Sequence, residues 1–310
     1  MSGDATEGLS AEDQSRVSIF QKVQVWVDAD RFDLAERTLI QGLREHPNDP
    51  HLHAQLAMIL RRLERTEEAE SHVARSLALA PNDPYCLFVA AQIHAALGRH
   101  REAEQFYIEA LHQDPTDAAT LMAYGALMQK TGHLDKAQKL VETSLRFAPE
   151  NEAAHGMLAV IHAERRRPGG QAMAHGSQSL QFSPDSEFSH SAMAYACLHS
   201  FRPFQARQHA REALRLNPAD NDTVQLFQHC DFVCRWTYLP MYYLAAVLSR
   251  LPGEQFALWG AAIVLIIFAP KIPFLAPYAG WITLSWVILC VYTWIAHPLT
   301  KFWMKVVPSR

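Results

Sequence analysis

The sequence predicts an all-α protein, in which a solenoid of about six helical hairpins precedes a C-terminal membrane helical hairpin. Two observations support this prediction. Alanines and prolines recur about every 34 residues over residues 16–220, and charged residues become rare after residue 250. A period of about 20–50 residues is typical of repeat architectures, in which each unit buries its apolar face against its neighbours.

Each repeat contains an alanine that is followed about twelve residues later by a proline. A small side chain lets two antiparallel helices approach closely, and proline cannot continue the second helix. Leu52, Leu56 and Ile59 have the three- and four-residue spacing of a helix face. Each repeat is therefore predicted to be one helical hairpin. The recurring residues are Ala35, Ala69, Ala103, Ala137, Ala172 and Ala206, with Pro47, Pro81, Pro115, Pro149, Pro184 and Pro218.

Together with Gly98 and Gly132 between the helices, this pattern resembles the tetratricopeptide repeat (TPR). The clearest copy covers residues 84–117, with Gly98, Ala103, Tyr107 and Pro115 where that family has such residues. The resemblance covers residues 16–220 and implies a solenoid that binds other proteins without catalysis. The first copy departs most from the pattern, as terminal repeats of solenoids often do.

The resemblance also implies a concave groove lined by the first helix of each hairpin. The asparagine positions of the clamp that holds chaperone C-termini are not asparagine here, so recognition of chaperone tails is not implied. Methionine, aromatic and cationic side chains suit an extended or helical peptide with apolar anchors. The alternative is that some of these rings pack inside the solenoid. The residues assigned to the groove are Met58, Arg61, Arg62, Tyr85, Phe88, Gln92, Met122, Gln129, Lys130 and Tyr195.

Two further segments flank the repeats. Residues 1–15 are small, polar and acidic, and are predicted to be disordered. Residues 221–253 are predicted to form a capping helix and a segment that lies at a membrane surface, since aromatic side chains with polar tips favour the headgroup level. The alternative is a longer solenoid cap. The predicted membrane-interface residues are Trp236, Tyr238, Tyr242, Tyr243 and Arg250.

Residues 254–297 are predicted to form a two-helix transmembrane hairpin. Sixteen uncharged residues separate Glu254 from Lys271, and 29 more separate Lys271 from Lys301. About 20 apolar residues are enough to cross a bilayer core. Prolines at 270, 273 and 277 break any single long helix. The alternative is a pair of buried helices in a protein that does not enter a membrane.

The charges predict the orientation of this hairpin. Lys271 stands alone at the turn, whereas Arg235, Arg250, Lys301 and the basic tail of residues 298–310 flank the opposite side. The positive-inside bias then places repeats and tail in the cytoplasm, in a bacterial inner membrane by overall resemblance. Five cysteines without framework spacing agree with a reducing compartment. A shallow hairpin within one leaflet has the same polarity and stays open.

No catalytic motif is present in the sequence. The 16 histidines show no HExxH or zinc-type spacing, and Cys230 and Cys234 suit a buried capping helix. We therefore predict no enzyme activity, no cofactor and no metal site. Residues 1–250 hold 31 of the 32 acidic residues and 24 of the 28 Lys and Arg, which argues against nucleic acid as a partner.

The predicted function is a non-catalytic scaffold that binds protein partners in its groove at the cytoplasmic face of a membrane, with its hairpin in lipid. The alternative is an accessory subunit of a membrane enzyme or secretion complex. In that case small and polar residues such as Gly280, Thr283 and Ser285 pack against other transmembrane helices.

Overall fold

A computed structural model describes residues 11–165 and 170–248, together with 267–268, 271, 276–278, 280–288, 291–292 and 295. Within these residues the regular structure is helical. The helices are α1 (Ala11–Asp28), α2 (Phe32–Glu45), α3 (Pro50–Arg62), α4 (Thr66–Leu79), α5 (Pro84–Ala96), α6 (His100–Gln113), α7 (Ala118–Lys130), α8 (Leu134–Phe147), α9 (Glu152–Glu164), α10 (Gln171–Phe182), α11 (Glu187–His199), α12 (Pro203–Leu216), α13 (Asn221–Cys234) and α14 (Leu239–Leu248). A short 3-10 helix covers Ala276–Tyr278. The chain forms two compact units, residues 1–150 and 151–310.

The helix boundaries follow the sequence period. The second helix of each pair ends two residues before a proline, as α2, α4 and α6 show before Pro47, Pro81 and Pro115. The next first helix begins at a polar cap. Asp49 accepts hydrogen bonds from the backbone amides of His51 and Leu52, at 2.8 and 3.1 Å. Such caps satisfy amides that have no partner inside the helix. The same role falls to Asp83, Asp117, Asn151, Ser186 and Asp220.

The turn inside each hairpin needs one residue in the left-handed region. Gly98 and Gly132 adopt φ values of 76° and 81° there, and Glu64 adopts 62° at the equivalent position. Glycine occupies this region without the steric conflict that a Cβ causes. The glycines of the sequence pattern therefore mark the turn between the helices, and the repeats that lack them hold a strained residue there.

The first unit contains four hairpins, α1/α2 to α7/α8, each packed on its sequence neighbour. Ala35, Ala69, Ala103 and Ala137 are completely buried where the helices cross. Contact is so close that a Cβ on Gly125 of α7 would lie 2.6 Å from a methyl group of Val141. The predicted role of the small residues in this unit is confirmed.

The second unit contains the pairs α9/α10 and α11/α12, followed by α13 and α14. A Cβ on Gly156 would lie 2.5 Å from the ring of Phe188, so glycine is required there as well. Ala206 is completely buried, whereas Ala172 at the equivalent position is only partly buried. α13 packs on α11 and α12 at the position predicted for a capping helix.

α1 begins at Ala11, so the helix covers residues 11–15, where the sequence predicts disorder. Ser15 has partners at the end of α2, since its hydroxyl lies 3.4 Å from a Glu45 carboxylate oxygen and from Nε2 of His46. These contacts give the polar segment a reason to be ordered that its composition does not reveal.

The predicted hairpin of residues 254–297 lies largely outside the described residues. In the part of the chain that the structure describes, no helix has both the length and the apolar character needed to cross a bilayer. Residues 280–288 are helical, and Trp281, Leu284 and Ile288 expose 70%, 48% and 59% of their surface. The basic tail of residues 298–310 lies outside the described part.

Candidate peptide-binding groove

In the first unit, the first helices of repeats two to four stand side by side. α3 contacts α5, and α5 contacts α7. Residues 34 apart therefore occupy equivalent places on neighbouring helices. Met58 and Gln92 form one such row, and Arg62 and Lys130 belong to another. We call the surface formed by the predicted residues of these three helices the groove surface.

The groove surface combines apolar and cationic side chains. Tyr85 exposes 36% of its surface, and Arg62 and Lys130 are also exposed. Met58, Gln92, Met122 and Gln129 are half-buried, so each presents part of its surface to solvent. This is a surface of mixed polarity with partly accessible apolar anchors.

Arg61 is the electrostatically unusual member of this surface. It is half-buried beside Arg62 at the end of α3, and burial together with the neighbouring Arg62 lowers the pKa of its guanidinium. Its Nε atom is buried and has no hydrogen-bond partner among the described residues. A guanidinium stays charged in proteins, so a cation with an unsatisfied donor faces this surface.

Phe88 serves the core as well as the groove surface. It is partly buried against the core of the first unit, and its ring lies 6.4 Å from that of Tyr107 in an edge-on arrangement. Tyr107 is almost completely buried and stacks on Tyr124 at 5.6 Å. The alternative that some rings pack inside the solenoid is therefore partly correct for Phe88.

Tyr124 closes a polar cluster behind these rings. Its hydroxyl donates a hydrogen bond to Glu104 at 2.7 Å, and Lys136 contacts the same carboxylate at 2.6 Å. Hydrogen bonds from Lys136 and Tyr124 hold the pKa of Glu104 below its usual value. This cluster joins α6, α7 and α8, and it fixes the last helix pair of the first unit.

In the second unit, Tyr195 lies on α11 and exposes 39% of its surface. It belongs by repeat position to the row of Met58 and Gln92. Phe188 on the same helix exposes 40% of its surface. The first helix of the sixth hairpin therefore presents accessible aromatic rings, as the sequence predicts.

The predicted membrane-interface residues divide into two groups. Tyr238 packs on Phe232 with ring centroids 4.6 Å apart, and the Tyr242 hydroxyl donates a hydrogen bond to the carbonyl of Leu198. These two rings serve as part of the cap on the second unit. Trp236 and Tyr243 expose 72% and 41% of their surface, and Arg250 lies outside the described residues.

Sequence reasoning missed a periodic pattern of histidines. His53 and His72 face each other across the second hairpin, His155 and His175 across the fifth, and His190 and His209 across the sixth. Their Nδ1 atoms are 3.0, 3.1 and 3.2 Å apart. Aligning the histidines on the repeat period would have found them, whereas a search for conventional zinc motifs did not.

Two family models for the tetratricopeptide repeat match the chain, over residues 49–115 and 94–161. The hairpins in this range are tetratricopeptide repeats, which confirms the predicted resemblance there. Proteins built from these repeats are generally non-catalytic and use the surface of the solenoid to bind partners.

Solved structures share the fold. A chain of the APC/C hetero-tetramer Cut9-Hcn1 is 16% identical with a TM-score of 0.60, over 69% of this chain and 42% of that one. The pilF protein of Pseudomonas aeruginosa is 17% identical with a TM-score of 0.56, over 71% and 98%. The protein TTC0263 of Thermus thermophilus is 21% identical with a TM-score of 0.51, over 58% and 98%. No curated protein matches the chain.

Proposed function

We propose that this chain is a non-catalytic scaffold whose groove surface binds a partner segment with an acidic group next to apolar side chains. The observation that carries this proposal is the half-buried Arg61, whose Nε is unpaired among the described residues and whose neighbour Arg62 is also cationic. A buried polar group without a partner costs about 1–3 kcal/mol. A carboxylate that receives both guanidinium groups removes that cost and balances the charge.

The apolar part of the recognition falls to Met58, Tyr85 and Met122. Tyr85 also packs on the ring of His51, with centroids 5.8 Å apart, so its position is fixed before a partner binds. Rigid aromatic and arginine side chains provide most of the binding energy at typical interfaces. Methionine adapts to irregular apolar surfaces. An extended or helical segment with one acidic and one or two apolar residues matches this combination.

A photo-crosslinking residue tests the location of this site. Placed at position 92 on α5, it should capture a partner in cells, because Gln92 lies between Met58 and the cationic end of the groove surface. The matched control is position 105 on α6, where exposed Gln105 lies on the second helix of the same hairpin. Arg61→Glu should abolish capture from position 92. Equal capture from positions 92 and 105 would place the site elsewhere.

We also propose that residues 254–297 attach the scaffold to a membrane, with the repeats and the tail of residues 298–310 on the cytoplasmic side of a bacterial inner membrane. Two uncharged runs of 16 and 29 residues support this proposal. So do the exposed apolar side chains of Trp281, Leu284 and Ile288, because an apolar surface of this kind requires a lipid or protein cover.

Cysteine labelling tests this attachment. In a chain without native cysteines, a cysteine at Lys271 should react with an impermeant reagent from outside the cell, and one at Ser309 should not. Protection at both positions in a membrane-bound protein would favour the shallow hairpin in one leaflet. A protein that is extracted from membranes by alkaline carbonate would refute the attachment itself. Replacing the hairpin by an unrelated one should preserve partner capture from position 92 if the hairpin only anchors, and destroy it if the chain is an accessory subunit.

A further inference from the structure

We propose that the three histidine pairs, His53/His72, His155/His175 and His190/His209, bind divalent transition-metal ions through their facing Nδ1 atoms. Each pair joins the two helices of one hairpin, and each lies within one of the two units. The sequence analysis predicts no metal site, because two histidines 19 or 20 residues apart match no conventional motif. The repeat period brings them together.

The distances fit a shared metal ion. The Nδ1 atoms of the three pairs are 3.0, 3.1 and 3.2 Å apart. Imidazole nitrogens lie about 2.0–2.1 Å from zinc, so such separations correspond to angles of about 95–105° at the ion. Tetrahedral and square-planar ions both accept angles near this range. The rings in the second and fifth repeats are also stacked, with centroids 5.3 and 5.4 Å apart.

The outer nitrogens fix the tautomer that metal binding requires. Nε2 of His53 lies 3.2 Å from the carbonyl oxygen of Pro47, and Nε2 of His190 lies 3.0 Å from that of Pro184. A carbonyl only accepts, so Nε2 carries the proton in a neutral ring, and Nδ1 keeps its lone pair. Histidines that bind metals typically donate their other N–H to a carbonyl or carboxylate in this way.

The pairs occupy positions that are apolar in other repeats. The equivalent residues are Leu87 and Phe106 in the third repeat, and Leu121 and Leu140 in the fourth. Packing alone is thus satisfied by ordinary hydrophobic side chains at these places. A metal ion shared by both rings gives a reason for histidine at both members of three separate pairs.

The second repeat also provides room for further ligands. A cavity of about 440 Å³ is lined by His53 and His72, and the same wall contains Glu68, one helical turn before His72. Two protein nitrogens leave coordination positions for water, and a cavity of this size holds several water molecules. Arg65 on this wall is neutralised by ion pairs to Glu36 and Glu68, at 2.7 and 2.6 Å.

The chemical class of the ion follows from its ligands. Imidazole suits zinc, copper and nickel, whereas magnesium and calcium prefer oxygen. A different group, His51, Asp83 and Cys86, also brings three ligand atoms within 4.8 Å. It is less suitable, because burial raises the pKa of the Cys86 thiol to about 12 and disfavours the thiolate that a metal needs. The carboxylate of Asp83 also caps α5 through the amide of Cys86, at 2.9 Å.

Zinc titration of the full chain, stripped with a chelator, tests the proposal. We expect about three equivalents of Zn²⁺ by calorimetry near neutral pH, and a higher melting temperature with zinc, because binding to the folded state stabilises it. His72→Leu should remove one equivalent, and the combined His72→Leu, His175→Leu and His209→Leu variant should remove all three. The leucine found at position 140 of the fourth repeat indicates that this replacement can pack. His112→Ala, at an exposed histidine on α6, is the matched control and should keep all three equivalents.

Electron paramagnetic resonance with Cu²⁺ provides a second readout that does not depend on the combined variant folding. Each bound Cu²⁺ should show coupling to two imidazole nitrogens, and the signal should fall by about one third in His72→Leu. Unchanged zinc stoichiometry in a folded His72→Leu variant would overturn the proposal. So would copper without coupled nitrogen, since the pairs would then be neutral hydrogen-bonded rings alone.

Discussion

Replacing Arg61 by methionine should separate binding from stability, because the two are expected to change in opposite directions. Methionine keeps the apolar stem that Arg61 packs against α3 and its neighbours, and it removes the charged head. The half-buried guanidinium now lies beside Arg62, with an Nε that has no partner in the described part of the chain. The free protein should therefore lose an unfavourable interaction.

The size of the effect follows from the geometry. A fully buried unsatisfied group costs about 1–3 kcal/mol, and Arg61 is only half-buried, so we expect the free energy of unfolding to rise by about 1 kcal/mol or less. Partner affinity should fall about tenfold or more, as is typical when a central arginine of an interface is lost. Arg62→Met is the control, since Arg62 is exposed and its loss should change stability little.

Two measurements on the same protein check this expectation: urea unfolding of the full chain, and capture of the partner from position 92. A fall of more than about 1 kcal/mol in the free energy of unfolding for Arg61→Met would show that the guanidinium has a stabilising partner. Unchanged capture in a folded variant would show that Arg61 does not contact the partner.

Three further predictions concern stability. Gly98→Ala should cost about 1 kcal/mol through its φ of 76°, whereas Glu64→Gly at φ 62° should gain up to about 1 kcal/mol, both measured as melting temperatures. Equal shifts of one sign would refute the turn assignment. Ala103→Leu should cost about 1–3 kcal/mol or more by overpacking α5 on α6, and an unchanged melting temperature would show that the contact is loose. Since the pKa of Glu104 is lowered by Lys136 and Tyr124, its contribution is complete above its ordinary pKa of 4.5 and is lost as the pH falls through its lowered value. Glu104→Gln should therefore flatten the fall of melting temperature at acid pH, and an unaltered curve would contradict this.

The solenoid could be predicted from the sequence because its determinants are local and repeated. Ala103 and Pro115 each act within one hairpin, and six copies make the pattern stronger than any single copy. The order of residues 11–15 could not be predicted, because it depends on tertiary contacts of Ser15 with the end of α2. Composition reports only that these residues are polar.

The candidate site could be predicted in position but not in energetics. The repeat period assigns Arg61 and Tyr85 to the first helices, and the structure keeps them on neighbouring helices. That Arg61 lacks a partner for Nε, and that Phe88 also packs against the core, depends on burial, which spacing does not specify. Likewise, the facing of His53 and His72 needs the crossing geometry of the two helices of a hairpin.

Hydrogen exchange of the full chain, with and without its crosslinked partner, tests the central claim most directly. The account predicts that the partner slows exchange in the first helices α3, α5 and α7, and that the second helices α4 and α6 of the same hairpins change little. Protection confined to α4 and α6, or none in the first unit despite a bound partner, would contradict the assignment of binding to the groove surface.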